Sequence, residues 1–419
     1  MIIRSATFGV DWRERDRHPV EARLRAAVQV ARDRFGAAGH SLRTCRLTLT
    51  PVELDTVSQA GVKSLAEWVA QELAPGAGLR WFSLPLSTFY TGKKENVAQV
   101  AVNLVQRFPS LFLNLVVARD GEIHRDGIVR AAEAIKSISR LSANGFDNFR
   151  VGASCNGRPN TPFFPFTYHQ GPHAFSLALE LPAHFISILQ ERPRSLEEFR
   201  EAVLERLAPQ LAELEGVARS VEADTGFAYR GIDLSLAPSF GEETSVGRIL
   251  ELLGGERFGT QGTLFLTGYL TDLLRQLLAR SGVRAAGFNG VMYSLLEDAT
   301  IAEANNRRTF TLDSLVAYSA VCGCGLDMVP LPGDVFAEEI ALLILDVATL
   351  STVLGKPLGL RVLPIPHKEA NEFTEFSHDF LHNTRVQAMP NRVGSLGAAG
   401  RGVFEFRAPL HAAAGEPAP

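Results

Sequence analysis

The chain has 419 residues, 46% hydrophobic and 21% charged, enough to bury a large core as one big domain or as two or three ordinary ones. A formal charge of -4 and a pI near 6.2, with the basic residues scattered, exclude a general attraction to nucleic acid or to an anionic membrane surface. No stretch reaches the ~18 consecutive apolar residues of a membrane span, the N-terminal segment lacks a long apolar signal region, and Cys45, Cys155, Cys322 and Cys324 are too irregularly spaced for a secreted disulfide framework; a cytoplasmic protein with reduced thiols and no membrane or nucleic-acid partner is expected.

Strand-like and helix-like segments then alternate. Residues 1–10 and 43–49 read as strands around a helix over 20–35, a βαβ unit. A helix over 62–73, a strand over 79–84, a helix over 95–106 and the apolar strand 111–117 repeat the pattern, and helix 128–141 with strand 149–153 extends it. Alternation of this kind predicts an α/β domain with helices outside a mainly parallel sheet, with closure into a barrel as the natural end. A strand follows over 175–181, then a long helix over 196–221 with Phe199, Val203, Leu207, Leu211 and Leu214 on its packing face.

Residues 229–240, YRGIDLSLAPSF, alternate Ile232, Leu234 and Leu236 with Gly231, Asp233 and Ser235, a strand with two unlike faces. An acidic residue there must be paired, hydrated or protonated, so Asp233 is a candidate site residue; the plain alternative is a helix cap or a solvent-facing carboxylate. Next comes the loop GTQGT. Gly259 and Gly262 permit close backbone approach, Thr260 and Thr263 offer hydroxyls, Gln261 is a neutral donor, and a helix begins at about 263, so the loop is a candidate anion site. An N-cap by Thr263 beside a glycine turn explains the same residues without a ligand. The apolar helix that follows ends at Gly282. Helices over 312–321 and 336–354 complete the chain apart from a tail, 408–419, of disordered composition. The long apolar helices can face a core or a second copy, which leaves room for a homo-oligomer.

Other polar residues sit beside apolar runs: Asn289, Glu297 with Asp298, which are expected to start a helix through 305, and Asp327. Asp233 and Asp327 brought together at strand ends would perturb each other's titration and supply acid/base chemistry, with His169 as a third titrating group. His378 and His382 stand four apart and could share a metal ion if the segment is helical, whereas a solvated polar surface is the alternative.

The runs GIDLSLAP (231–238), GTQGT (259–263), CGLDMVPLP (324–332) and RVLPIP (361–366) resemble the uncharacterised bacterial and archaeal family called domain of unknown function 711, or UPF 0210; NTPFFPFTYHQG (160–171) is a weaker echo with His169 at the family's histidine position. The resemblance implies a single domain over 1–407 with a ten-stranded α/β barrel similar to that of glycyl radical enzymes such as pyruvate formate-lyase, helices outside; a (β/α)8-like barrel is the alternative. It implies no established activity. Radical chemistry is disfavoured because Arg392-Val393-Gly394 lacks the residue that glycyl radical motifs place before the glycine, and Ser395 is not aromatic. Cys322, at a position where the family also resembles a cysteine, is a further candidate, while Cys324 reads as packing. The expectation is a non-radical enzyme of lyase or isomerase type acting on a small anionic metabolite, with no cofactor specified; a binding or regulatory protein and a metal-dependent enzyme using His378 and His382 are the alternatives.

Overall fold

The computed structural model describes residues 1–14, 20–89, 96–239, 241–389 and 396–406. The Arg392–Ser395 run and the tail over 408–419 lie outside the described residues. Seven strands come from the first part of the chain: β1 (Ile2–Val10), β2 (Ser41–Leu49), β3 (Val52–Glu53), β4 (Trp81–Ser87), β5 (Leu111–Arg119), β6 (Glu122–His124) and β7 (Val151–Cys155). Five follow: β8 (Ala174–Leu179), β9 (Ala228–Asp233), β10 (Gly325–Pro332), β11 (Leu358–Ile365) and β12 (Val403–Glu405). They form one mixed sheet of 12 strands whose main path runs β10-β11-β7-β5-β4-β2-β1-β8-β9, with helices around it.

Along β7-β5-β4-β2-β1 all pairings are parallel, as strand–helix–strand crossovers require. Antiparallel joints occur where β1 meets β8 and where β7 meets β11, so along this path the mainly parallel sheet expected from the alternation is three parallel segments, the outer pairs β10-β11 and β8-β9 running opposite to the central five strands. Outside the named strands, parallel bridges pair Ile232 with Ala285, Leu236 with Val291, and Ser294 with Asp327, linking β9 to β10 through the run 285–294.

The two faces of the sheet carry different chemistry. On β1, β2, β4 and β5, Phe8, Leu47, Phe82 and Leu113 are fully buried in the main apolar core with the helices Val20–Ala37, Val97–Arg107 and Arg125–Ile138. The alternate positions are mostly small or polar, with Trp81 and Phe112 as large aromatic exceptions. Thr7 Oγ1 donates to the Pro162 carbonyl and Asn114 Nδ2 to the Thr167 carbonyl, which seats the loop 160–169 against this second face. Gly152 and Gly359 make room for the loop: a Cβ on either would stand 2.6 Å or 2.5 Å from the Phe166 ring. Phe163 then packs with Ala178, Ala237, Met292 and Cys324 in a small cluster of its own. Around it, Ser5, Thr48, Ser83, Ser154 and Ser176 carry buried hydroxyls without a hydrogen-bond partner among the described residues. No helix among the described residues is long and apolar enough to cross a membrane.

Helix ends follow local chemistry. The 30-residue helix Leu196–Thr225 is capped by the Ser195 side chain at its start and ends at Gly226, whose φ of 71° suits glycine. Helix Thr263–Ser281 likewise stops at Gly282.

Candidate functional site

A cavity of about 840 Å3 opens on the polar face of the sheet, within the size range of small-molecule sites. Successive strands supply its wall: Arg4 from β1, Arg46 from β2, Trp81 from β4, Phe112 from β5, Asp327 from β10 and Arg361 from β11. Ser294 and Glu297, from the run before helix Ala299–Asn306, and Phe163, Phe164 and Phe166 from the inserted loop complete it.

Its charged centre is a triad of buried Arg361 and Asp327 with half-buried Glu297. Arg361 Nε donates to Asp327 Oδ1 at 2.6 Å and Arg361 Nη2 to Asp327 Oδ2 at 2.8 Å, a bidentate pair. The same Nη2 donates to Glu297 Oε2 at 2.9 Å, and the Ser294 hydroxyl to that oxygen at 2.5 Å. Glu297 Oε1 accepts no hydrogen bond from the described residues and belongs to a side chain that lines the cavity. Burial raises the Asp327 carboxyl above its ordinary value against the pull of Arg361, and the neighbouring Glu297 adds to the rise. Burial works against the Arg361 charge, yet Asp327 and Glu297 outweigh it and hold the guanidinium protonated. A local distortion aims Asp327: the β10–β11 register shifts between Leu326 and Val329, and Met328 sits at φ 52°.

Across the cavity lie two further guanidiniums. Arg4 Nη1 donates to the Pro238 carbonyl at 2.6 Å, and Arg46 Nε to Thr44 Oγ1 at 3.2 Å. Neither has a carboxylate partner among the described residues, unlike Arg361 and the buried Arg150, which pairs with Asp147. Burial, then the positive charge of Arg4, lowers Arg46 to about 10. Arg4 stands at the irregularity between Ile3 and Ser5 in the β1–β8 register.

Of the sequence candidates, Asp327 and Glu297 come together here; Asp233, His169, Cys322, His382 and the GTQGT loop do not line this cavity. The pair Asp233 and Asp327 therefore does not meet in it. Asp233 neither caps a helix nor faces solvent: its carboxylate accepts from Ser235 N and Oγ, Phe288 N and Asn289 N, and fastens β9 to the run 285–294. Asn289 answers it by accepting from Leu234 N. At the helix start it is Asp298 that caps, accepting from Ile301 N, while its other oxygen receives Val246 N and Gly247 N from a second helix. Glu297, read as part of that start, turns to the cavity instead.

Thr263 is not the N-cap expected from sequence. Gly262 holds that position at φ 96°, and the Thr263 hydroxyl accepts from Gly259 N inside the loop, while Thr260 donates to the Arg257 carbonyl. Gln261 and Gly262 are exposed. The segment holding His378 and His382 is irregular, so the helical spacing that would bring both imidazoles to one ion is missing; His378 stacks on Phe146 at the cavity rim, and His382 N donates to the Leu296 carbonyl. Among the described residues no group of three or more His, Cys, Asp or Glu side chains is placed to hold a metal ion. Cys322 lies in the main core, its sulfur accepting from Gly325 N; Cys324 lines the cavity, and burial raises its thiol well above the ordinary value.

His169 is fully buried on the inserted loop, with Nε2 2.9 Å from the Gly171 carbonyl and Nδ1 2.7 Å from Asn160 Oδ1. Burial lowers it to about 4, against the pull of the Gly171 carbonyl and with help from His173. Between the ordinary value near 6.5 and about 4 the unfolded chain binds more protons at this position, so stability rises with pH across that window and is lost as pH falls through it. The expected loss from this residue is roughly 2–3 kcal/mol. Unfolding midpoints of wild type and His169→Gln from pH 7.5 to 4.5 check it; equal pH slopes in both proteins would refute the assignment.

Sequence reasoning missed Arg4, Arg46 and Arg361. The available signal was an arginine inside each of three apolar strands, IIRSATF, TCRLTL and GLRVLPI, where a guanidinium needs a partner.

Comparison with known proteins places the chain among uncharacterised relatives. It is 29% identical over 366 residues to a UPF0210 protein of Pyrobaculum arsenaticum, covering 85% of this chain and 80% of that one. A UPF0210 protein of Methanopyrus kandleri is 29% identical over 359 residues, 82% and 79% of the two chains, and one of Clostridium perfringens 28% identical over 260 residues, 61% and 57%. Among solved structures, the anaerobic ribonucleotide reductase from Thermotoga maritima aligns with a TM-score of 0.39 and 10% identity, over 86% of this chain and 74% of that one. The model of the family described as Uncharacterised ACR (DUF711) matches residues 1–381, and the chain belongs to that family.

Proposed function

We propose that the protein is an acid/base enzyme, of lyase or isomerase type, acting on a small anionic metabolite in the cavity between Arg4 and Arg46 on one side and Glu297, Asp327 and Arg361 on the other. The observation that carries this reading is the division of labour within Glu297: Oε2 is fixed by Arg361 and Ser294, while Oε1 accepts from no donor among the described residues. A fixed carboxylate with one open oxygen is the arrangement a proton-transfer group needs. Asp327 and Arg361 act as positioning residues. Burial and the neighbouring Glu297 charge disfavour ionisation of Asp327, while Arg361 opposes them.

We also propose that the sheet closes as a ten-stranded barrel around this cavity, nine strands of the main path joined by the run 285–294 as the tenth. Support comes from the three parallel bridges on the two sides of that run and from cavity residues drawn from strands all along the path. In this reading, Asp233 and His169 hold the run 285–294 and the inserted loop in place, and the loop fills part of the barrel interior.

The test is a thermal-shift screen of wild type and Glu297→Gln against small carboxylates and phosphates. Stabilising compounds are then followed by proton NMR in deuterated water, for conversion or for exchange of carbon-bound hydrogen. A compound that stabilises both proteins and is turned over at least ~100-fold more slowly by Glu297→Gln supports the proposal. Undiminished turnover in the variant would remove Glu297 from the chemistry. A compound bound but left unchanged by wild type would make this a binding protein without catalysis.

A further inference from the structure

The cavity's apolar wall narrows the ligand class. Trp81 and Phe112 meet edge to face with ring centres 5.7 Å apart, Phe112 lies 5.2 Å from Phe164 and 5.8 Å from Phe149, and Phe149 stacks on Phe146 at 5.3 Å. This continuous aromatic belt borders the two guanidiniums without a carboxylate partner among the described residues: Arg46 lies over the Phe164 ring at 5.3 Å, and Arg4 near Phe163 at 6.0 Å. Thr44 ties the two arginines together, since its hydroxyl donates to the Arg4 carbonyl while accepting from Arg46 Nε.

Two like charges set side by side at a half-buried wall, with no carboxylate partner among the described residues, are electrostatically unfavourable until an anion joins them. The charges lining the cavity also sum in that direction. Arg4, Arg46, Arg80 and Arg361 face Glu297 and Asp327, whereas Arg150 is neutralised by Asp147. The opposite pole, Glu297 Oε1, accepts only from a donor. A belt of rings between these poles favours a flat partner over a bulky saturated one.

Building on the proposed function, we infer that the ligand is a planar aromatic acid. Its carboxylate or phosphate is held by Arg46 and Arg4, its ring lies against Phe112, Phe149 and Phe164, and a hydroxyl or amino substituent donates to Glu297.

Calorimetric titration of the full-length protein with four matched probes tests this: 4-hydroxybenzoate, 4-hydroxyphenyl phosphate, 4-hydroxycyclohexanecarboxylate and 4-hydroxybenzamide. At least one aromatic anion is expected to bind about tenfold or more tightly than the saturated acid and the neutral amide, and the better of the two identifies carboxylate or phosphate. Arg46→Gln is expected to weaken the aromatic anions by ~10–100-fold and to leave the amide unchanged. Equal binding of 4-hydroxycyclohexanecarboxylate and 4-hydroxybenzoate would overturn the aromatic class while leaving the anion reading intact. Failure of all three anions would remove both. The wild-type series decides the ligand class even if Arg46→Gln folds poorly.

Discussion

Replacing Arg361 with methionine is expected to lower the unfolding free energy by roughly 3–5 kcal/mol, because it leaves two carboxylates in a site built for a guanidinium. Arg361 is 5% exposed, forms both bonds to Asp327, bonds Glu297, and donates through Nη1 to the Phe149 carbonyl at 3.2 Å. Methionine matches much of its length but none of its donors. The cost comes chiefly from the uncompensated charges, so Arg361→Met/Asp327→Asn/Glu297→Gln should recover a substantial part of it. Urea unfolding with an unchanged m value measures the effect. A loss below about 1 kcal/mol, or no recovery in the triple variant, would show that the triad is not held together by its charges.

Asp233→Ala is expected to cost about 3 kcal/mol or more. Three backbone N–H groups, of Ser235, Phe288 and Asn289, and the Ser235 hydroxyl would lose their acceptor in a fully buried setting, where each unsatisfied donor costs about 1–3 kcal/mol. Close packing leaves no easy repair. Gly287, at φ 73°, sits directly against the carboxylate, and a side chain there would collide with it. Asp233→Asn keeps one acceptor oxygen and should lose less. Amide hydrogen exchange distinguishes this account from a general loss of stability: Phe288 and Asn289 should exchange faster in Asp233→Ala than the amides of β4 and β5. Uniform acceleration across the sheet would contradict the local role.

The first half of the fold was legible because its chemistry is local. The alternation over residues 1–155 predicts strands and helices close to Ile2–Val10, Val20–Ala37, Ser41–Leu49 and Leu111–Arg119, and Gly282 marks a helix end through its positive φ, whereas the helix read over 196–221 runs on to Thr225 before Gly226 ends it. The two antiparallel joints were not legible: nothing within β8 or β11 states which distant strand it will meet, or in which direction. The same holds for the run 285–294, whose bridges to β9 and β10 are isolated and leave little alternation to read.

For the site, an acidic residue interrupting an apolar strand was a sound signal for burial but could not separate two uses of it. Asp327 meets Arg361 at the cavity, whereas Asp233 meets backbone N–H groups. The difference lies in partners 34 and about 55 residues away. The bulge at Met328 that aims Asp327 is also invisible in CGLDMVPLP, since methionine gives no cue for a left-handed backbone. Glycine at 262 hid the true N-cap in the same way, because the threonine beside it is the better capping residue by preference.

The central claim, an anion held at Arg46 in the cavity, is tested most directly by fluorescence of Trp81, which lines the cavity, in a Trp12→Phe/Trp68→Phe background. Titrated with the small carboxylates and phosphates of the screen, Trp81 emission is predicted to change saturably with at least one anion, and Arg46→Gln to shift that titration at least ~10-fold to higher concentration. No saturable change with any of these anions, or a titration identical in Arg46→Gln, would contradict the account.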